Sequence, residues 1–236
     1  MTNAARSYAW LFWGLAVLGF TLDQASKYGI FAHLYNEGSG GHIEIIPGAF
    51  DLIAQFTTDH EAGDGLMSRL RTVSGDILPR VNQGALFGLG SGDKDQNANQ
   101  LFTLVSIAAA IAIIYWSTRP ATARDRLLCM SLGLILAGTL GNLFDRVVFH
   151  GVRDFLHWHY PESIPILRDF PVFNIADCCL VCGAGMLLLQ AFLAERRPVS
   201  SPAPVLRQAE VARQAEVAQA EVAQPEVAQP EVAQAK

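Results

Sequence analysis

The sequence predicts an all-α integral membrane protein: four transmembrane helices, a small extracytoplasmic sheet between the first two, and a disordered C-terminal tail. Three observations carry that expectation. Half of the 236 residues are hydrophobic, and they gather into four blocks instead of recurring at the spacing of a soluble core. The blocks, near residues 8–30, 99–117, 127–149 and 172–194, each approach the length of about 20 apolar residues with which a helix crosses about 30 Å of hydrocarbon. Basic residues near the block ends fall on one side, with Arg6, then Arg119, Arg124 and Arg126, then Arg196 and Arg197. This places both termini in the cytoplasm.

Taken in order, the first block follows Arg6 in the manner of an export signal, but it is too long and lacks a small-residue cleavage site, so it reads as a retained span. Residues 42–56, HIEIIPGAFDLIAQF, form two β-rich runs punctuated by Pro47 and Gly48. In residues 57–80, Leu66, Met67, Leu70 and Val73 recur at helical spacing, which predicts a short amphipathic helix at the interface. The polar stretch 91–100, SGDKDQNANQ, reads as a loop and closes an extracytoplasmic segment of about 31–97. The second span ends on Tyr115, Trp116, Arg119 and Pro120, an aromatic and basic finish suited to the cytoplasmic interface. In the third, Gly133, Ala137 and Gly141 put small side chains on one face, where a neighbouring helix can approach closely. Residues 1–197 thus form one membrane domain. Beyond it, 198–236 is a low-complexity tail of QAEVA and QPEVA units, broken by Pro225 and Pro230 and expected to be disordered.

The net charge of −5 comes largely from one loop and the tail, and no basic stripe offers a phosphate-binding surface, which argues against nucleic acid as a partner. Cys178, Cys179 and Cys182 crowd the start of the fourth span, where metal binding and helix packing compete as explanations. Packing is preferred, because no Cys or His pair stands elsewhere at zinc spacing. His157 and His159, in HWH, lack the H-E-x-x-H helix of a metallopeptidase and read as interfacial anchors beside Trp158 and Tyr160.

The informative residues are polar ones set into or beside these blocks: Asp23, Lys27, Asn142, Asp145, Arg146, Asn174 and Asp177. A charge at the bilayer centre costs about 2.5–3.5 kcal/mol on insertion scales, so a cluster requires pairing or a function. Topology gathers them. The first and third spans run outward and carry their polar residues late, the fourth runs inward and carries its own early, and Asp154 lies in the loop that joins the last two. Within each span, separations of four (Asp23 with Lys27, Asn142 with Arg146) or three (Asn174 with Asp177) keep each pair on one face. The plain alternative is a set of ion pairs and anchors at helix ends.

As motifs, these residues read DQASK from Asp23, NQGALFG from Asn82, GNLFDR from Gly141 continuing to GVRDF at Asp154, and FNIADC from Phe173. In order and approximate spacing, from about Asp23 to Gly183, the chain resembles the lipoprotein signal peptidase (signal peptidase II) family. The resemblance implies four transmembrane helices with an extracytoplasmic β cradle, in the bacterial inner membrane. It implies a membrane aspartic endopeptidase that cleaves diacylglyceryl-modified prolipoproteins just before the lipidated cysteine; the expectation beside it is a monomer without metal or cofactor. Asp154 and Asp177 fall on the catalytic positions, and Asp23, Lys27, Asn82, Asn142, Asp145, Arg146 and Asn174 on the supporting ones. For Asp145 a supporting role and a purely structural one stand level. The insertion within 57–80, the stretch from His157 and the acidic repeat tail depart from the family pattern and leave the shape of the cradle open.

The chemistry agrees with that implication. Hydrolysing an amide without a metal or nucleophilic side chain takes one carboxylate to activate water and one carboxylic acid to supply a proton. Two aspartates close together at a poorly solvated interface share a proton and titrate as a pair. A serine hydrolase is disfavoured by the lack of a G-x-S-x-G elbow. An ion pathway, the main alternative from another class, needs polar positions through the whole bilayer, whereas the cytoplasmic halves of these spans are almost uniformly apolar.

Overall fold

The computed structural model describes residues 7–36, 40–57, 66–72, 77–83, 94–159, 170–195 and 212–216. The chain divides into two compact units, Met1–Phe192 and Leu193–Lys236. Of the second unit, the end of the last long helix and a helical stretch at 212–216 are described; the rest of the expected tail lies outside the described residues.

The first unit is mostly helical. Its long helices are α1 (Ala9–His33), α3 (Lys94–Ser117), α5 (Arg126–Phe149) and α6 (Ile175–Glu195), with the short α2 (Leu66–Arg71) and α4 (Pro120–Ala123) between them. Among the described residues, three segments are long and apolar enough to cross a membrane: Ala98–Ser117, Arg126–Phe149 and Ile175–Leu193. α1 is just as long, but Asp23, Gln24 and Lys27 dilute its apolar run, so the fourth expected span falls outside that set.

α5 is the central helix. About 56% of its apolar window is buried, against 11% in α3 and in α6, which expose Leu104, Ile111, Val181 and Leu188 outward as a lipid-facing helix does. The small-residue stripe of α5 meets α1: a Cβ at Gly141 would stand 2.5 Å from Asp23 Oδ2, so glycine is what lets that carboxylate reach the helix. Two apolar clusters flank this contact. One joins Phe12 and Ala16 to Ala110, Ile113, Leu132 and Leu136; the other joins Phe31, Leu34, Ala54, Phe155 and Leu156. Asp23, Gln24 and Lys27 occupy the layer between them on α1. At the opposite end from that layer, Asp125 caps α5 through the Leu128 amide (3.0 Å) and accepts from Gln190 of α6 (2.6 Å).

The two β-rich runs are β1 (Gly41–Ile46) and β2 (Phe50–Ala54), joined by a turn in which Gly48 takes φ 70°. A third strand, β5 (Leu156–Trp158), pairs antiparallel with β2 and completes the order β1-β2-β5. A separate small ladder pairs β3 (Phe56–Thr57) with β4 (Leu78–Pro79). Alternation along β2 sends Leu52 and Ala54 to the cluster around Phe31 and turns Asp51 to the other face.

Two boundaries differ from the sequence reading. The stretch 91–100, expected as a loop, is helical from Lys94 onward: Lys, Gln and Ala favour helix, and polarity marks where hydrocarbon ends, not where backbone hydrogen bonding does. The fourth apolar block begins at Val172, yet α6 begins at Ile175, because Phe173 is drawn into the sheet by two hydrogen bonds with Leu156 (2.8 and 2.9 Å). The helix expected within 57–80 is the single short α2, and Val73 lies outside the described residues. α2 docks on the end of α5, with Arg71 donating to the Val148 carbonyl and meeting His150 Nε2 at 2.9 Å.

Candidate active site

Three local structures set the site. The first is the start of α6. Asn174 precedes the helix and its Oδ1 accepts from the Asp177 amide (3.1 Å), while Asp177 Oδ2 accepts from the Asn174 amide (3.1 Å). This is a reciprocal capping box with aspartate in the third helical position. It fixes the Asp177 side chain at the helix end, and Asn142 of α5 holds the other oxygen, donating Nδ2 to Asp177 Oδ1 at 2.8 Å.

The second is the backbone between α5 and β5. Val152 exchanges two 2.8 Å hydrogen bonds with Asn82, and Leu156 exchanges its pair with Phe173. Asp154 lies midway between these bridges, so both sides of its backbone are held. Its Oδ2 accepts from Asn82 Nδ2 (3.1 Å) and its Oδ1 from Asn174 Nδ2 (2.7 Å). Asn174 therefore touches both carboxylates, through its side chain to Asp154 and through its backbone to Asp177. Burial, then the nearby Asp177 carboxylate, push the Asp154 carboxyl up to about 7.

The third is a closed ionic cluster beneath the pair. Lys27 Nζ lies 2.9 Å from Asp23 Oδ2 and 3.3 Å from Asp145 Oδ2, with all three side chains fully buried. Asp145 also receives the Arg153 guanidinium (2.8 Å to Oδ1) and the Arg153 amide (2.9 Å). Two cations thus balance two carboxylates. Asp23 Oδ1 reaches across to accept from the Ala176 amide (2.9 Å), one of the unpartnered donors of the first turn of α6. The cluster meets the pair through Asn142, whose Oδ1 accepts from Lys27 (3.3 Å) and from Asn174 (3.1 Å).

All nine residues singled out in the sequence therefore lie in or beside one connected network, though not in equivalent places. Asp154, Asp177, Asn82, Asn142 and Asn174 form its upper part; Asp23, Lys27 and Asp145 form the closed cluster. Arg146 stands at the edge, donating to the Asn142 carbonyl (3.3 Å) with its guanidinium 5.5 Å from the Phe102 ring centre. The level readings of Asp145 separate here: its partners are Lys27, Arg153 and Gln24, and it makes no hydrogen bond to Asp154 or Asp177. Four ion pairs occur among the described residues, and none includes Asp154 or Asp177.

Sequence reasoning passed over two residues of the cluster. Arg153 is 1% exposed, with Tyr28 and Phe149 rings 4.2 and 3.9 Å from its guanidinium, and Gln24 accepts from it at 2.9 Å. Both sit inside quoted motifs, DQASK and GVRDF. A charged residue in a predicted loop reads as solvated, and only the approach of two aromatic rings reveals that it is enclosed.

The fold has counterparts. Two solved bacterial membrane enzymes superpose on it, one with TM-score 0.60 and 24% identity over 84% of this chain and 98% of its own. The other has TM-score 0.56 and 25% identity over 84% of this chain and all of its own. Among curated proteins, the chain is similar to the lipoprotein signal peptidase of Rhodopirellula baltica, 36% identical over 82% of this chain and 76% of the relative. It is also similar to those of Aquifex aeolicus, 31% over 81% and 92%, and Symbiobacterium thermophilum, 30% over 78% and 95%. The profile of the Signal peptidase (SPase) II family matches residues 15–193, which include every site residue named above, and the chain belongs to that family of membrane proteases.

Proposed function

We propose that this protein is an aspartic endopeptidase that removes signal peptides from diacylglyceryl-modified prolipoproteins immediately before the lipidated cysteine, with Asp154 and Asp177 as the catalytic pair. The observation that carries the reading is that both carboxylates bind one asparagine, Asn174, yet among the described residues neither is paired with a cation, while a neutralised cluster lies directly beneath them. A structural carboxylate in a membrane protein is expected to be paired; one that is not is available for proton transfer.

The chemistry follows from the environment. Raised to about 7 by burial and by Asp177, the Asp154 carboxyl keeps its proton up to near neutrality. The ionised partner takes a proton from water, which attacks the scissile carbonyl carbon. The protonated partner gives its proton to the carbonyl oxygen, and collapse of the tetrahedral intermediate then transfers a proton to the leaving amine. Asn82, Asn142 and Asn174 orient the carboxylates by donating neutral hydrogen bonds, and Arg146 adds positive potential without neutralising either. Lys27, Asp23 and Asp145, with Arg153, are positioning residues that fix α1, α5 and the Asp154 loop.

In this reading residues 1–197 are the peptidase domain and 198–236 an appended tail. The domain sits in the inner membrane as a monomer with both termini cytoplasmic. α1 counts as the fourth span: its 25 residues give about 37 Å of helix, it presents Trp10, Val17, Leu18 and Leu22 outward, and its polar residues face α5. The site then opens near the extracytoplasmic face, where the acyl chains of the substrate remain in the bilayer beside the carboxylates.

The test is cleavage of a purified diacylglyceryl-modified prolipoprotein by wild type and by Asp154→Asn and Asp177→Asn. Each variant is expected to be slower by at least about 10²-fold, the lower end for losing general acid–base catalysis. Processing by either variant at the wild-type rate would overturn the assignment.

A further inference from the structure

A second cluster lies on the opposite face of the three-stranded sheet from the apolar cluster around Phe31. In the antiparallel register Asp51 of β2 sits directly across from His157 of β5, and His159, two residues on, returns to the same face. The backbone amide of His159 is held by the Ala49 carbonyl at 2.8 Å, so this end of β5 is fixed. His159 Nε2 lies 2.6 Å from Asp51 Oδ2, and the two imidazoles are 4.2 Å apart centre to centre. One ligand atom from each of the three residues falls within 4.8 Å of the other two.

A simple Asp–His ion pair accounts for only part of this. It uses one imidazole and one carboxylate oxygen, whereas Asp51 is 6% exposed and its second oxygen, Oδ1, is buried with no hydrogen-bond partner among the described residues. A buried carboxylate oxygen left unpaired is costly, and placing a second imidazole against the first adds nothing to an ion pair. Both features suit a shared cation. Bonds of about 2.0–2.2 Å from zinc to nitrogen and oxygen put tetrahedral ligands about 3.3 Å apart, a small opening from the contact present. Glu44 holds the position across from Asp51 on β1, adding a second carboxylate to the same row.

We propose that Asp51, His157 and His159 form a divalent-cation site, selective for zinc-like ions by its two imidazoles and one carboxylate, that clamps β2 to the end of β5. The site is separate from the aspartate pair: the neighbouring residues Leu52 and Leu156 point the other way, into the core around Phe31. Its effect would reach the pair through the backbone, because Asp154 enters β5 two residues before Leu156.

The test is calorimetric titration of tag-free, chelator-stripped full-length protein in detergent with zinc chloride. One saturable site per chain is expected, weakened by at least about tenfold in Asp51→Asn, His157→Ala and His159→Ala and unchanged in His42→Ala, a histidine on the same sheet face outside the cluster. Zinc-edge absorption of the loaded protein should report two imidazole ligands, falling to one in His157→Ala. Should Asp51→Asn fail to fold, the two histidine variants decide. No saturable uptake, or uptake indifferent to all three substitutions, would reduce the cluster to an ion pair beside a stray imidazole and sink the proposal.

Discussion

Four aspartates come together at one end of this bundle, and they live in two different ways. Asp23 and Asp145 are fully buried, and the charges of Lys27 and Arg153 answer theirs. Asp154 and Asp177, in the next layer, receive hydrogen bonds from asparagines only among the described residues. The side chain is the same and the distance between layers is one asparagine, Asn142, yet the first pair is locked and the second is left with its charge uncompensated. Charge balance, more than burial, thus distinguishes framework from machinery.

The sharpest way to break this distinction is to remove a cation from the closed layer. Arg153→Ala leaves Asp145 buried with a lost partner and is expected to cost about 3–5 kcal/mol of stability, read as a fall in detergent-solubilised thermal unfolding temperature. Asp154→Asn, by contrast, should unfold no earlier than wild type, since it removes a repulsion. If Arg153→Ala melted like wild type and Asp154→Asn melted early, the roles assigned to the two layers would be reversed.

Asn174→Ala probes the residue that serves both aspartates of the upper layer. It deletes a helix cap, worth about 0.5–2 kcal/mol, and also the hydrogen bond to Asp154. A stability loss in that range with a larger fractional loss of cleavage rate is the expected result, and proportionate losses would make Asn174 a cap and nothing more.

The remaining effect is one of pH. Because the Asp154 carboxyl is held at about 7 against an ordinary 3.8, the folded state keeps a proton that the unfolded state gives up. The stability from that proton is complete below about 3.8 and is lost as pH rises through about 7. Wild type should therefore lose unfolding temperature relative to Asp154→Asn between those limits, and its cleavage rate should decline on the alkaline side with an apparent pKa belonging to the pair. A wild-type to variant difference that stayed flat from pH 4 to 8 would contradict a shared proton.

Most of the upper layer could be read in the sequence, because spacing of three or four on a helix and alternating span direction together say which polar residues converge. That logic alone brings Asp177, Asn174 and Asn142 together. Other features were not legible. The capping box needs the helix start at Ile175, and that start is set by the bridge from Phe173 to Leu156, a contact between segments that no local pattern encodes. Arg153 is enclosed by the Phe149 ring four residues before it and by the Tyr28 ring of α1, which is distant in sequence. The Asp51–His157 pairing depends on a strand register in which β5 joins β2, and a three-residue strand such as β5 is too short to announce itself by alternation.

The capping box at the head of α6 ties the geometry of Asp177 to the first turn of its own helix. Fraying of that turn, the earliest event when a helix begins to melt, would swing the acid away while the rest of the bundle stands. Warming should then silence the enzyme several degrees before circular dichroism registers any loss of helix, and a longer acid at this position would keep the fastening while overshooting the spot where the proton is needed.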